Sequence, residues 1–438
     1  MGSSGTPGAY RLETYEMSSI TGVRTIRAER LSVLVPPLTT LGLGLWGIGS
    51  PGPWADEMVT IDAVQYPLHH LWELPLMPYY VAVWTWSFMG TLDDIVWLRL
   101  FSVLSMAAAA AFVALTARRL AGPKAAIFAG LIFAMAPFVQ RYAQEARVYA
   151  LATALAALAT WIFVLATQQS SRRLWVGYAL SLAAATIFFP LSLAVVPAHG
   201  LILLLNKAGR EALRSWVFAC FSLIPFVAIQ IWMSTQYGFM HDIFDKPGVD
   251  ALIGSPAIVL GPIFGVAVIA LGFMSQVGMR WVLGTALGVA SIAVVSWIST
   301  SWWLERSFKP LTVLLVIAAG ISVAQIRWRQ VLALLVLFGL VAFPDLVGQR
   351  QHDARGEDVR EMAAIMDAEG QIGDTVPEFP DPIVWWTVEH LLKDWDRFSK
   401  SEGPVEGRYW EIQPEPTCEL FREWPVSGAR QLRLCLNN

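Results

Sequence analysis

The chain has 438 residues, of which 55% are hydrophobic and only 15% charged, and its mean hydropathy is +0.52. A soluble domain of this length does not combine so few charges with so many apolar residues, so the chain is interpreted as a polytopic membrane protein. The net charge of −3 provides no overall positive field, which excludes a nucleic-acid role.

Residues 1–30 are polar and contain no short apolar stretch followed by a cleavage site, so we expect a cytoplasmic N-terminal segment and a retained first helix. Further apolar runs of roughly membrane length predict an all-α transmembrane domain of about eleven spans over residues 31–347. The predicted spans are 31–50, 95–117, 125–140, 148–168, 174–190, 191–206, 215–235, 256–274, 281–298, 309–325 and 330–347.

The segment 78–89 is apolar and aromatic but only about a dozen residues long, which favours an amphipathic helix at the membrane surface over a span. With that assignment, fourteen basic residues fall on one side of the membrane, as the positive-inside bias of cytoplasmic loops requires. The fourteen are Arg24, Arg27, Arg30, Arg118, Arg119, Lys124, Arg172, Arg173, Lys207, Arg210, Arg214, Arg280, Arg327 and Arg329.

This topology places a first outer loop, residues 51–94, and a polar C-terminal tail, residues 348–438, on the extracytoplasmic side. The tail combines the helix-like stretch DVREMAAIMDAEG with the strand-like stretch RQLRLCLN, so it predicts a small α/β domain. Cys418 and Cys435 both lie in this tail, where an oxidising compartment allows a disulfide, although two free thiols remain an alternative.

The first outer loop contains the stretch PWADEM, in which Asp56 and Glu57 are adjacent carboxylates. A carboxylate can take the proton of a hydroxyl nucleophile, although Asp56 could equally be a helix N-cap. Neighbouring residues of a helix point about 100° apart, so the two acids cannot both face one hydroxyl, and Asp56 is the first choice as base. We expect Glu57 to orient or bind rather than to abstract the proton.

Six basic residues remain on the outer side before the tail, against the insertion bias. Such cations can hold a phosphate as it leaves, although a lysine at a span end could instead reach lipid headgroups. Carboxylates and cations on one face are together the parts of a transferase that uses a phosphate-linked donor. The six are Arg99, Arg141, Arg147, Lys246, Arg306 and Lys309.

Three motifs in this order resemble the GT-C glycosyltransferases of the protein-mannosyltransferase-like group, which includes actinobacterial lipid-sugar transferases. They are ADEMVTIDAV, then PYYVAVWTWSFMG followed by WLRLFSVLS, then RYAQEARVYALATALAALAT. The similarity is clearest over residues 54–200, and HDARGEDVREMAAIMDAEG is similar to the region that follows the last span in relatives.

The resemblance implies the GT-C fold and an enzyme of the bacterial plasma membrane with an extracytoplasmic site. Such an enzyme moves a sugar from a polyprenyl-phosphate carrier to a hydroxyl of a glycolipid, polysaccharide or protein, with inversion, and mannose is the sugar that fits the resemblance best. The family's acidic motif falls on Asp56 and Glu57, with Asp56 as the base, and its donor-phosphate arginine falls on Arg99. Its loop motif implies donor-site roles for Gln144, Glu145, Arg147 and Tyr149, and Arg306 or Lys309 stands where relatives carry a late-span cation.

The two adjacent histidines of the first outer loop, His69 and His70, are candidate substrate contacts or, with Asp56, metal ligands. A phosphate-monoester leaving group needs no divalent ion, so we expect no metal and no other cofactor. Tyr79 and Tyr80 open the short aromatic helix and could guide an isoprenoid chain or belong to an ordinary aromatic belt.

Two other functions remain open from the sequence. A lipid-linked glycan flippase or other transporter would bury charged residues near the bilayer midplane, whereas these predicted spans are mostly free of them. An arabinofuranosyltransferase with a polyprenyl-phosphate-arabinose donor would use the same outer face.

Overall fold

The computed structural model describes residues 29–65, 77–90, 95–169, 171–207, 210–236, 246–299, 301–355, 359–377, 387–389, 391–401, 407–413, 420–424 and 431–437. These residues form a bundle of apolar helices followed by a small domain with a β-sheet. The predicted fold class, a helical membrane domain with a C-terminal α/β domain, is confirmed.

The bundle is built from sixteen α-helices among the described residues, joined in two places by single-turn 3-10 helices at Pro190–Ala194 and Glu305–Phe308. The helices are α1 (29–45), α2 (Ala55–Gln65), α3 (Met77–Ser87), α4 (Ile95–Ala121), α5 (Pro123–Met135), α6 (Pro137–Ala143), α7 (Tyr149–Gln169), α8 (Arg172–Phe188), α9 (Val195–Leu205), α10 (Arg210–Phe221), α11 (Ile224–Gln236), α12 (Val249–Leu260), α13 (Pro262–Gly272), α14 (Gln276–Ile298), α15 (Lys309–Val323) and α16 (Trp328–Gly348).

All eleven apolar runs predicted from the sequence fall on helices. In the described part of the chain six helical segments are long and apolar enough to cross a membrane, or seven if the bent pair α5 and α6 forms one span. Two of the six are joined elements: Arg210–Met233 runs from α10 into α11, and Glu305–Val323 joins the 3-10 turn to α15. Several of the remaining apolar runs contain only shorter helices, because the helix is interrupted within the run. The helix of the 78–89 segment, α3, has 11 residues and is too short to cross.

Two of the interruptions occur at a proline, which lacks the N–H needed for a helical hydrogen bond, and one of these prolines follows a glycine with a positive φ. Helices α5 and α6 meet at Ala136 and bend by 64° before Pro137. Gly261, with a φ of +95°, separates α12 from α13 and precedes Pro262. The bend before Pro137 matters most for function, because it places the loop after α6 beside the start of α2.

Helix α15 is the centre of the bundle, since every one of its residues is buried. It packs closely on α5, where a Cβ on Gly320 would lie only 2.7 Å from the Cβ of Ala129 and 2.8 Å from the carbonyl oxygen of Ala125. Small residues at such a crossing allow two backbones to approach, which is the usual basis of helix packing in membranes. The first residue of α15, Lys309, lies at the charged cluster described below.

The tail forms a separate small core. Helix α17 (Val359–Glu369) packs on a five-stranded sheet of order β2-β1-β3-β5-β4. Strand β1 is parallel to β2 and to β3, whereas β5 runs antiparallel to both β3 and β4. The predicted helix and the predicted strand RQLRLCLN are α17 and β5. The strands are β1 (Thr375–Pro377), β2 (Ser399–Ser401), β3 (Gly407–Gln413), β4 (Leu420–Trp424) and β5 (Gln431–Asn437).

Candidate active site

The acidic pair lies in the first turn of α2, at one end of the bundle. The carbonyl oxygen of Trp54 accepts hydrogen bonds from the backbone N–H groups of Glu57 and Met58, so the helix begins before Asp56. Asp56 is therefore not the N-cap of this helix, and its carboxylate faces other side chains instead. The two adjacent acids point in different directions, as the 100° rotation per residue requires.

Asp56 is the accessible member of the pair. Its side chain is 28% exposed, and its Oδ2 lies 3.1 Å from Arg306 Nη1 and 3.6 Å from Arg147 Nη2. Arg147 also donates through Nη1 to the backbone carbonyl of Asp56, at 2.9 Å. Asp56 is thus held between two guanidinium groups that come from distant parts of the chain.

Glu57 is fully buried and all of its acceptor sites are used. Oε1 accepts from Arg99 Nε and from the backbone N–H of Ala146, both at 2.9 Å, and Oε2 accepts from Arg99 Nη2 and Arg355 Nη1, both at 2.7 Å. Burial alone raises the pKa of Glu57, but the two arginines outweigh that effect and lower the pKa to about 2. These contacts with protein groups suit the orienting role expected of Glu57 from the sequence better than proton abstraction.

Arg99 is also fully buried, at the start of α4. It donates to both oxygens of Glu57 and to the backbone carbonyls of Ile48, Pro51 and Gly52. These five bonds use all five N–H donors of a guanidinium group. Arg99 has no N–H left for a donor phosphate, so we assign it a positioning role in place of the predicted phosphate contact.

The loop between α6 and α7 surrounds the acidic pair. Gln144 is buried and donates through Nε2 to the carbonyls of Gly44 and Trp46 at the end of α1. Glu145 is fully buried, 3.3 Å from Arg141 and 3.9 Å from Arg355, and burial raises its pKa. Of these loop residues Arg147 contacts Asp56, whereas Gln144 and Glu145 contact other protein groups and support the site.

The segment before α15 supplies the other side of the site. Arg306 is 24% exposed and reaches Asp56, whereas Lys309 is only 1% exposed. Lys309 Nζ lies 3.6 Å from Glu305 Oε1 and 4.1 Å from the centre of the Phe138 ring, and it has no hydrogen-bond partner among the described residues. Of the two predicted late-span cations, Arg306 contacts Asp56, whereas Lys309 is buried beside Glu305 and Phe138.

Aromatic rings form a layer beside these charges. Tyr149 lies edge-to-face with Tyr142 and with Phe189, and the Arg306 guanidinium is 5.9 Å from the Tyr149 ring centre. Tyr80 receives a hydrogen bond from Arg147 at 2.9 Å, while Tyr79 packs against it and is equally buried. Tyr80 therefore supports Arg147, and neither α3 tyrosine is exposed to guide a lipid chain in this structure.

Three contributors to the site were not predicted from the sequence: Glu305, Tyr142 and Arg355. Tyr142 Oη donates to Glu305 Oε1 at 3.1 Å, and the motif RYAQEARVY already contained Tyr142 as a polar group next to Arg141. Arg355 belongs to the stretch HDARGEDVR, whose similarity to relatives was noted without a role. Its partner, Glu57, lies 298 positions earlier, so no local pattern links the two.

The predicted histidine pair and the predicted disulfide lie wholly or partly outside the residues that the structure describes. His69 and His70 lie outside the described residues. Cys435 is disulfide-bonded and Cys220 is free, but Cys418 also lies outside the described residues, so its pairing stays a prediction. Among the described residues no group of three or more His, Cys, Asp and Glu side chains is placed to hold a metal ion.

The partly exposed charges of the site are Asp56, Arg306, Glu305 and Arg141, whereas the Arg147 side chain is only 10% exposed. The other charged side chains described above are buried. This arrangement offers a base beside a cationic opening, which suits proton removal from one reactant and charge stabilisation on another. The fold and the site together define an integral membrane protein with a transferase-like charged site at the ends of its helices.

Comparison with known proteins agrees with this class. Residues 74–233 match the family described as dolichyl-phosphate-mannose-protein mannosyltransferase. No curated protein sequence matches the chain.

Solved structures of other proteins share the fold of this chain. ArnT from Cupriavidus metallidurans in the apo state superposes with a TM-score of 0.61 and 13% identity, covering 92% of this chain and 97% of ArnT. ArnT bound to undecaprenyl phosphate gives a TM-score of 0.56 at the same identity and coverage. The oligosaccharyltransferase AglB from Archaeoglobus fulgidus, in complex with an inhibitory peptide and a dolichol-phosphate, gives 0.50 at 10% identity, covering 85% of this chain and 64% of AglB.

The chain therefore shares the fold of ArnT, and residues 74–233 of it resemble the matched mannosyltransferase family.

Proposed function

We propose that this chain is a membrane glycosyltransferase that moves a sugar from a polyprenyl-phosphate carrier to an acceptor hydroxyl, with inversion. The observation that carries the proposal is the partly exposed Asp56 carboxylate between Arg147 and Arg306. The family description names a lipid-phosphate sugar donor, and two structures of the same fold contain a polyprenyl phosphate. Both lines support a donor of this chemical kind.

In the proposed reaction, the acceptor oxygen forms a bond to the anomeric carbon while the bond from that carbon to the phosphate oxygen breaks. Asp56 takes the proton of the acceptor hydroxyl, and the departing lipid phosphate keeps the bonding electron pair. Arg147 and Arg306 stabilise the negative charge of that phosphate. The leaving group is already a stable anion, so the reaction needs no general acid.

The ion pairs of Asp56 suit this mechanism, because a guanidinium that leaves Asp56 for the donor phosphate makes the carboxylate a better base. Arg306 is the more exposed of the two arginines and is the first choice for this exchange. Donor binding and activation of the base would then occur together.

Mannose is the sugar that we propose first, on the description of the matched family, and arabinofuranose is the alternative. We further propose that the site and the tail face the extracytoplasmic side of a bacterial plasma membrane. The charge distribution supports this orientation, since the fourteen basic residues of the predicted inner loops then lie in the cytoplasm. The acceptor is a glycolipid, a polysaccharide or a protein.

The deciding experiment incubates the purified protein with a panel of polyprenyl-phosphate sugars and measures release of free polyprenyl phosphate. Asp56→Asn should reduce the rate by a factor of about 10²–10⁴, the usual contribution of a positioned base, while donor binding is retained. Asp62→Asn, a substitution of another carboxylate in the same helix, is the control. Near-normal turnover by Asp56→Asn would remove Asp56 as the base, and no release from any donor would remove the proposed reaction.

A further inference from the structure

The tail returns to the beginning of the bundle immediately after the last apolar helix. Arg350 donates to the carbonyls of Leu43 and Leu346, at 2.9 and 2.7 Å, and lies 4.8 Å above the Trp46 ring. The carbonyl of His352 accepts from the backbone N–H of Gly52 at 3.0 Å. Residues 349–355, which we call the tail linker, are therefore bonded along the path that leads from α1 to the acidic pair.

Arg355 is the residue of the tail linker that enters the site. Its Nη1 lies 2.7 Å from Glu57 Oε2 and 3.9 Å from Glu145 Oε1, and its Nη2 donates to the backbone carbonyl of Gln144. Its side chain is only 7% exposed. One guanidinium thus joins the first turn of α2 to the loop between α6 and α7.

This connection matters because each of the two segments carries one residue of the reacting pair. Asp56 precedes Glu57 on α2, and Arg147 follows Glu145 on the loop. Glu57 and Glu145 are both fully buried, and burial raises the pKa of each carboxyl group, whereas the positive charge of Arg355 lowers both pKa values. Arg355 is a cation shared by both, so it holds the two segments at one separation.

We propose that Arg355 is a positioning residue for sugar transfer, which fixes Asp56 and Arg147 at their reacting separation by bridging Glu57, Glu145 and the Gln144 carbonyl. The proposal rests on the proposed function. Arg355 is not a phosphate ligand, because its side chain is almost fully enclosed and its bonds go to protein groups. The C-terminal tail thereby supports the active site through Arg355, whose bonds go to Glu57, Glu145 and the Gln144 carbonyl and not to Asp56.

The kinetic test compares Arg355→Gln with Arg355→Lys, each normalised to the number of donor-binding sites. Displacement of a reacting group by about 1 Å costs a factor of about 10² in rate, so Arg355→Gln should lower kcat by roughly 10–100-fold and change the donor KM by less than about threefold. Arg355→Lys keeps the charge but not the fork of donors, so it should recover part of kcat. Arg422→Gln, which alters a 53% exposed arginine of the same tail, is the control.

A second measurement does not depend on activity. Hydrogen exchange should become faster in residues 53–65 and 141–149 of Arg355→Gln, with the rest of the bundle unchanged, and should stay as in the original protein for Arg422→Gln. Faster exchange throughout the bundle, or unchanged exchange in both segments, would overturn the proposal, as would a normal kcat. If no polyprenyl-phosphate sugar is a substrate, the proposed function fails, while the exchange experiment still decides whether Arg355 holds the two segments together.

Discussion

Asp56 and Glu57 are neighbours in sequence with opposite environments. Asp56 is partly exposed and lies between Arg147 and the partly exposed Arg306, whereas Glu57 is enclosed and bonded to the buried Arg99 and Arg355. From the sequence alone, two adjacent acids differ only in direction, because neighbouring residues of a helix are rotated by about 100°. Their different exposure and partners cannot be read from the sequence. The ranking of Asp56 above Glu57 was possible from the sequence because of that rotation, but the saturation of Glu57 was not.

Arg99 provides a prediction about stability. Arg99→Gln should destabilise the protein by roughly 3–5 kcal/mol, because the fully buried Glu57 loses a bidentate partner and three carbonyls lose donors. Thermal unfolding in detergent measures the loss, and Arg118→Gln, in a largely exposed pair with Glu29, is the control. Donor affinity of the folded fraction should be unchanged. A selective loss of donor affinity with normal stability would return Arg99 to the phosphate site.

Glu57 also predicts a pH dependence. Its pKa of about 2 is lowered from 4.5, so ionised Glu57 stabilises the folded state fully above about pH 4.5, and this stabilisation is lost as the pH falls toward 2. The shift corresponds to roughly 3 kcal/mol. The stability difference between the original protein and Glu57→Gln should therefore shrink by about this amount between roughly pH 5 and pH 2.

Acid-induced unfolding followed by circular dichroism measures this difference. Glu369→Gln, which alters a carboxylate with 41% exposure, should show no comparable change over the same range. A constant difference between the original protein and Glu57→Gln would mean that Glu57 is not held ionised by Arg355 and Arg99.

At the scale of helices, hydropathy predicted which segments are helical but not where they break. The run 125–140 was predicted as one span, yet Pro137 divides it into α5 and α6 with a 64° bend. The bend gives the loop 144–148 its position beside α2, so the site depends on this interruption. An average of hydropathy over a window of residues does not detect a break at a single proline. Strand order in the tail was equally out of reach, because pairing between β3 and β5 joins residues far apart in sequence.

The crossing of α5 and α15 gives a prediction at this scale. Gly320→Ala should lower stability by about 1–3 kcal/mol, because the added methyl group would meet Ala129 and the backbone of Ala125. Gly42→Ala, in α1, is the matched control, since a Cβ there meets nothing within 4 Å. Thermal unfolding of the two variants in one detergent makes the comparison. Equal stability of the two would show that α5 and α15 separate easily.

For the whole molecule, the charge distribution predicts which ends of the helices share a side of the membrane. Ile372, in the tail, is 89% exposed, and Gln169, at the end of α7, is exposed near the predicted inner arginines. In a Cys220→Ala background, a membrane-impermeant thiol reagent should label Ile372→Cys in intact cells and Gln169→Cys only after permeabilisation. Labelling of both without permeabilisation, or the reverse order, would contradict the topology.

The sequence indicated most of the residues that meet at the site but not the contacts between them. Asp56, Arg147 and Arg306 were predicted as candidates and meet in the structure, because charged residues at span ends stand out against an apolar background. Arg355 lies in a polar tail where charges are ordinary, so composition could not distinguish it from a solvated arginine. Its role depends on a contact across 298 positions, which only the folded chain reveals.

That distance has a consequence for biosynthesis. A ribosome adds about 5–20 residues per second, so Glu57 exists for roughly 15–60 s before Arg355 is made. During this time the membrane helices can insert and pack, yet α2 and the loop between α6 and α7 are not joined through Arg355. The proposed role of Arg355 therefore predicts that a nascent or prematurely terminated chain is inserted but inactive until translation has passed the last membrane helix.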